Sequence, residues 1–278
     1  MKKRFSIKIT LIAVSMLMCL AMAVSAADVN VKQELRKSST IEKIIRSGKM
    51  RVGMSTFVPW AMQDKKGEWI GFEIDIAKQL AKDMGVKVEF VPTKWEGLIP
   101  SLLTGKFDLI IAGMTGTPQR ALKINFTAPY DFSEMHMVAH KKVAAGLSTV
   151  ADFNKPEVTV LCRNGTTAVP AVKRVLPKAK MLLFSENGPM VQELLNGKAH
   201  AIVASAPEPA QHAINHADTL FFVDESIANE PISIGVPKGD PDTLAYLNNW
   251  IIVTRNNGFL EQKVNYWWKS LDWQPLIQ

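Results

Sequence analysis

The sequence predicts an α/β protein of two lobes, each a sheet covered by helices. Three observations carry the prediction. Apolar runs of strand length alternate with segments of helical period, and the alternation comes in two series, one before and one after Lys141. Several of the strand runs, such as FDLIIA, are apolar almost throughout, as expected where helices cover both faces of a parallel sheet. A chain of 278 residues with 47% hydrophobic and 21% charged residues can bury two modest cores, which excludes disorder and fibrous classes.

The first residues are of another kind. Lys2, Lys3, Arg4 and Lys8 precede the apolar run ITLIAVSMLMCLAMAV, and Val24-Ser25-Ala26 forms a small-x-small site before Ala27. Residues 1–26 are thus expected to be a secretory signal peptide. Four basic residues leave with it, so the formal charge of +7 says little about nucleic acid, and no nucleic-acid partner is expected. Met18 before Cys19 disfavours lipid attachment, and with Cys19 removed only Cys162 remains, so no internal disulfide is expected.

Along the mature chain, Thr40 can cap a helix over IEKIIRS that Gly48 stops, and 50–54 reads as a first strand. In residues 72–84, Ile74, Ile76, Ala77, Leu80 and Ala81 share one helical stripe ended by Gly85. A strand over 86–91, a helix over 95–103 and a strand over 107–112 complete the first series. The second reads strand 158–161, helix 166–175, strand 179–184, helix 187–195, strand 200–204, helix 208–216 and strand 220–223. A strand over 232–236 and helices over 242–255 and 259–268 form the tail, with Trp267 and Trp268 expected to pack on a sheet.

Common catalytic signatures are missing. There is no HExxH, GxSxG, Walker loop or GxGxxG, and no cofactor or metal is expected. His136 with His140 and His212 with His216 have ligand-like spacing but no third ligand nearby in sequence. Arg163 beside Cys162 would lower a thiol pKa if the two touched; the alternative is a buried, inert cysteine.

Other residues suit the capture of a small anion. Gly113-Met114-Thr115-Gly116-Thr117-Pro118-Gln119-Arg120 follows an apolar strand, Thr117 can cap the next helix, and Arg120 emerges in its first turn. A guanidinium among hydroxyls receives a carboxylate through two parallel charge-assisted bonds. Asn164-Gly165-Thr166-Thr167 sits at the matching junction of the second series, where helix N–H groups and two hydroxyls can hold the same anion. Phe57 and Trp60 lie in the loop after the first strand and can stack on a ligand, and Trp95 reads equally as a lid on the sheet edge.

The run from GMSTFVPWAMQDKKGEWIGFEIDIAKQL to GMTGTPQRALKINFTAPY, together with NGTT, NGKAHAIVAS and GVPKGDPDTLAYLNNW, resembles the periplasmic solute-binding proteins of polar amino acid ABC transporters. The resemblance implies a two-lobed periplasmic-binding-protein fold joined by two crossover strands near Met137 to Lys141 and Pro231 to Val236. Lobe 1 would then comprise 27–138 and 234–278, and lobe 2 139–233. It further implies a monomer in the periplasm that binds an amino acid or related small carboxylate and docks on an inner-membrane ABC permease. Phe57 and Trp60 would supply aromatic packing, and Gly113, Met114 and Thr115 would receive the solute. Arg120 would clamp its α-carboxylate together with Thr166 and Thr167.

One departure from the pattern matters. Ser205 stands where such proteins carry the aspartate that holds the α-ammonium, and Glu208 is a candidate substitute unless it faces solvent as a helix N-terminal charge. Glu208 also matches the general acid of the periplasmic cyclohexadienyl (prephenate or arogenate) dehydratases, which resemble the same fold. That leaves a dehydratase-like enzyme as the alternative to a binding protein.

Overall fold

The computed structural model describes residues 39–277; the expected signal peptide and Cys19 lie outside them. α1 (Thr40–Ser47) is capped by Ser39, one residue earlier than expected, whose hydroxyl accepts from Glu42 N, and Gly48 ends it at φ 66°. β1 (Lys49–Met54) lies inside a five-stranded sheet ordered β4-β1-β5-β12-β6. It runs parallel to β4 (Lys87–Pro92) and β5 (Leu109–Ile110), whereas β12 (Gly235–Val236) is antiparallel to β5 and to β6 (Asn125–Phe126). A short hairpin, β2 (Met62–Gln63) with β3 (Trp69–Ile70), precedes α2 (Phe72–Asp83). The stripe Ile74, Ile76, Ala77, Leu80 and Ala81 is fully or almost fully buried on α2, as its spacing requires. A 3-10 turn (Trp95–Gly97) leads into α3 (Leu98–Leu103), and α4 (Pro118–Ala121) follows β5.

The second sheet is ordered β11-β7-β10-β8-β9. β8 (Thr159–Arg163), β9 (Lys180–Phe184) and β10 (Ala201–Ser205) are parallel to their neighbours in that series, while β7 (Asp131–His140) runs antiparallel to both β10 and β11 (Leu220–Ile232). α5 (Ala168–Val175), α6 (Asn187–Leu195) and α7 (Glu208–Asn215) lie between these strands in sequence. Apolar side chains fill both sides of each sheet, as a helix-covered sheet demands.

The crossing between lobes comes earlier than 137–141. β7 is already paired with β11 at Asp131↔Ile232, Met135 and Met137 pack in the second lobe's core, and Tyr130 is the residue that remains in the first. Met135 to Val138 thus pack in the second lobe, while Asp131, paired with Ile232 of the first core, lies at the crossing itself. The expected strand at 220–223 extends to Ile232 as one long strand, β11, irregular between Val223 and Ala228, and of the expected strand at 232–236 only Gly235–Val236 forms β12 in the first sheet. The tail helices α8 (Pro241–Asn256) and α9 (Phe259–Val264) bring Leu247, Trp250, Ile251 and Leu260 onto the first lobe's core. The last expected helix turns π-helical over Asn265–Lys269. Its tryptophans join the first core, in the cluster that holds Met50, Val52 and Leu109 of the sheet: Trp267 Nε1 donates to Asp75 Oδ2 on α2 at 3.0 Å, and Trp268 packs on Phe72 and Trp60.

Candidate functional site

Between the lobes lies an inner cavity of about 50 Å³, lined by Phe57, Trp95, Gly113, Thr115, Arg120, Arg163, Thr166, Thr167, Asn187, Ser205 and Glu208 among others. The backbone at Gly113 can approach this space because the residue has no side chain. Its φ is 66°, and a Cβ there would fall 2.9 Å from Trp60 Cε3 and 3.4 Å from Phe57 Cζ. On α4, Thr117 caps the Arg120 N–H and Pro118 opens the helix, so the arginine emerges at a fixed angle. Arg120 Nη1 donates to Thr115 O at 2.8 Å and Nη2 to Gly165 O at 2.9 Å, with Cζ 5.5 Å from the Trp95 ring. Burial lowers its pKa and the Glu230 charge opposes that shift, so the group stays a cation with donors to spare for an anion.

Two expected aromatic and loop contacts are corrected. Trp60 has 0% exposure and sits in the first core against Phe72 and Trp268, behind Phe57, which stacks on it at 5.2 Å. Met114 is a core side chain at 1% exposure; the glycine before it reverses the chain, and only its flanking residues reach the cavity. Trp95 takes the cleft position instead, donating from Nε1 to Gly165 O at 3.0 Å.

The second lobe departs further from expectation. Thr166 donates its hydroxyl proton to Arg163 O at 2.7 Å, Thr167 donates to Glu230 Oε1, and Ser205 donates to Glu230 Oε2 at 2.5 Å. A hydroxyl has one proton, so these three side chains present lone pairs to a ligand and act as acceptors. What is left on this side for a carboxylate is the Thr167 and Ala168 N–H groups at the start of α5, since Val169 N donates to Thr166 O and Pro170 has no N–H. Glu230, at 3% exposure, is the residue that sequence reasoning missed. Extending the strand at Ile232 back by two residues places Glu230 on the same strand face, which was the available signal.

Glu208 does reach the cavity wall, at 6% exposure, and its Oε1 accepts from Asn187 Nδ2 at 2.9 Å, with His212 Nε2 3.3 Å away. Arg163 was read only as a neighbour of Cys162. On a strand, adjacent side chains point to opposite faces, so Cys162 enters the second core, where burial pushes its thiol up to about 12, and Arg163 enters the cleft. There Arg163 Nη2 donates across the lobes to Ser55 Oγ at 2.8 Å. The histidine pairs go separate ways, His136 to Glu134 and His212 to Glu208, and among the described residues no three His, Cys, Asp or Glu side chains converge on a common point.

Two α/β lobes, joined by two crossings and closing on a polar cavity with an arginine in one wall, define a two-lobed solute-binding protein. The chain belongs to the bacterial extracellular solute-binding proteins, family 3, whose pattern it matches over residues 50–270. It is 39% identical to the crystal structure of an ancestral amino acid-binding protein that is a precursor of cyclohexadienyl dehydratase; the match covers 83% of this chain and 100% of that one, with a TM-score of 0.75. A putative ABC transporter binding component from Wolinella succinogenes, complexed with lysine, is 37% identical over 82% of this chain and 99% of its own, with a TM-score of 0.77. The cyclohexadienyl dehydratase of Pseudomonas aeruginosa is 24% identical over 91% of this chain and 93% of its own.

Proposed function

We propose that the protein captures a free α-amino acid as a zwitterion between its lobes and presents it to the permease of an ABC importer, after export directed by residues 1–26. The observation that carries the reading is an arginine in the cavity wall facing two hydroxyls, Thr167 and Ser205, whose protons lie on a buried carboxylate behind them. Arg120 offers a bidentate donor to the α-carboxylate, helped by the N–H groups that open α5. Thr167 and Ser205, both with their protons on Glu230, offer lone pairs to the α-ammonium, and the buried Glu230 carboxylate supplies the charge that the expected aspartate at the Ser205 position would have supplied. Relatives named for amino acid, lysine and arginine binding support the same class of solute.

The second reading, a dehydratase with Glu208 as general acid, draws on the place of Glu208 in the cavity wall and on the Pseudomonas enzyme. The Asn187 amide donates to Glu208 Oε1 at 2.9 Å, so that oxygen is already held by the protein.

Calorimetry on the mature protein tests the proposal. Arg120→Ala is expected to lose about 2–5 kcal/mol of amino acid binding, the penalty for leaving a buried charge unpaired. Glu230→Gln is expected to weaken an amino acid more than the same carboxylic acid without its amine. An R120A variant within about twofold of the parent, under 1 kcal/mol, would refute the carboxylate role. Incubation with prephenate is expected to release no phenylpyruvate; enzyme-dependent release would install the dehydratase reading instead.

A further inference from the structure

With Arg120, and Glu230 acting through the Thr167 and Ser205 hydroxyls, assigned to the two charges of an amino acid head, the cavity lining still holds two groups of opposite charge. Arg163 lines it at 6% exposure, and so does Glu208. Arg163 makes no ion pair among the described residues. Its hydrogen bonds run to neutral oxygens, Ser55 Oγ at 2.8 Å, Ser185 O at 3.4 Å and Thr56 O at 3.5 Å, and its Cζ stands 5.9 Å from the Trp95 ring. Glu208 keeps Asn187 and His212 as its partners and is not paired with Arg163. Arg163 and Glu208 thus share one cavity with no hydrogen bond or ion pair between them, Glu208 being foremost among the carboxylates whose charge acts on Arg163, and each has bonding capacity left over.

Glu208, Asn187 and Phe57 also line a second, wider groove of about 610 Å³ between the β2–β3 hairpin and helices α6 and α7. These three residues therefore stand between the inner cavity and the groove on the Glu208 side.

We infer that the solute side chain ends in a neutral group that both accepts and donates hydrogen bonds, a carboxamide or a ureido group, with its oxygen toward Arg163 and its N–H toward Glu208. The inference rests on the zwitterion reading above, which fixes the other end of the ligand. A purely cationic terminus such as that of lysine would meet Arg163 at close quarters, and a purely anionic one would meet Glu208. Like charges in a desolvated site cost far more than they do in water. The predicted specificity thus differs from that of the lysine- and arginine-bound structures with which this chain shares its fold.

The experiment measures dissociation constants by calorimetry for L-glutamine, L-citrulline, L-lysine, L-arginine and L-glutamate on the mature protein and on two variants. In the parent, glutamine or citrulline is expected to bind at least about tenfold more tightly than lysine, arginine or glutamate. Arg163→Met keeps the length of the side chain and removes its charge, leaving Glu208 alone, so the glutamine-to-lysine ratio should move at least about tenfold toward lysine. Glu208→Gln leaves Arg163 alone, so the glutamine-to-glutamate ratio should move by a similar factor toward glutamate. Ratios within one variant cancel any uniform loss from the missing bond to Ser55. A parent that prefers lysine or arginine, or a ratio that stays put in either variant, overturns the assignment while the zwitterion reading stands. Failure of every free α-amino acid to bind overturns both.

Discussion

Burial decides the charge of Glu73. The residue is the second of α2, at 1% exposure and two places after the glycine that turns the chain past Trp60, and the Tyr130 hydroxyl donates to its Oε2 at 2.6 Å. Desolvation pushes the carboxyl up to about 8, against the Tyr130 bond and the Gly113 N–H, which pull it down; burial also raises the nearby Asp131. The folded state therefore holds a proton on Glu73 between pH 4.5, its ordinary value, and about 8, where the unfolded chain has released it. A state that binds more protons gains stability as pH falls, so this contribution is fully present below about 4.5 and is lost as pH rises through 8. Denaturant titration at several pH values is expected to show a lower midpoint at pH 9 than at pH 6. Glu73→Gln, neutral throughout, is expected to flatten that difference, and a parent whose stability does not fall across this window would contradict the neutral carboxyl. Nothing in the sequence distinguishes Glu73 from a solvated first-turn acid; its environment is made by Tyr130, 57 residues away. Arg120, Thr115, Ser205 and Glu208 were legible as cavity residues because a cap or strand end fixes where each side chain leaves the backbone. Trp60 and Met114 were not, because in a loop one residue more or less reverses which side chain faces the core.

At the scale of elements, the helix starts carry much of the order. Asp240, 4% exposed, caps α8 by accepting Thr243 N at 3.0 Å on one oxygen, and its other oxygen accepts Thr40 N, the opening of α1, at 2.7 Å. Thr243 Oγ1 then accepts Ile41 N at 2.9 Å, and Ser39 donates to Asp242. Two helix N-termini, 200 residues apart, are thus satisfied by one cluster. Asp240→Ala removes a cap and leaves a second buried N–H without a partner, a loss of about 2–4 kcal/mol. Urea unfolding should register it as a lower midpoint with an unchanged slope, and a loss below about 0.5 kcal/mol would mean that water replaces the carboxylate. The β/α alternation that places these helices was legible from period and punctuation alone, since Gly48, Gly85, Gly105 and Gly197, all at positive φ, follow the ends of helices. The crossings were not legible to the residue. β7 and β11 continue through the boundary as one paired ribbon, and a strand that passes from one lobe to the next carries no change of pattern where it does so.

Across the whole molecule, the lobes are tied covalently only where β7 leaves Tyr130 and where β11 hands over to β12, so their closure rests on side chains. Side-chain bonds span the cleft: Trp95 and Arg120 to Gly165 O, Arg163 to Ser55 Oγ and Thr56 O, Asn164 Nδ2 to Glu96 Oε1 at 3.0 Å, and Gln274 Nε2 to Asn215 Oδ1 at 3.3 Å. Neutral hydrogen bonds net about 1 kcal/mol each and those of charged groups somewhat more, while closing buries two guanidinium groups at several kcal/mol of desolvation. The two terms are of similar size, so the open and closed forms of the unliganded protein lie close in free energy. A solute that touches both Arg120 on one lobe and Thr167 on the other binds only the closed form with all its contacts, and by linkage it shifts the population toward that form. Small-angle scattering is therefore expected to give a smaller radius of gyration at saturating solute than in its absence. Arg120→Ala at the same solute concentration should stay at the larger value, because the group that couples the solute to the first lobe is gone. A radius that does not change on saturation of the parent would mean that one lobe holds the solute by itself, and the division of the zwitterion between the two walls would then be wrong.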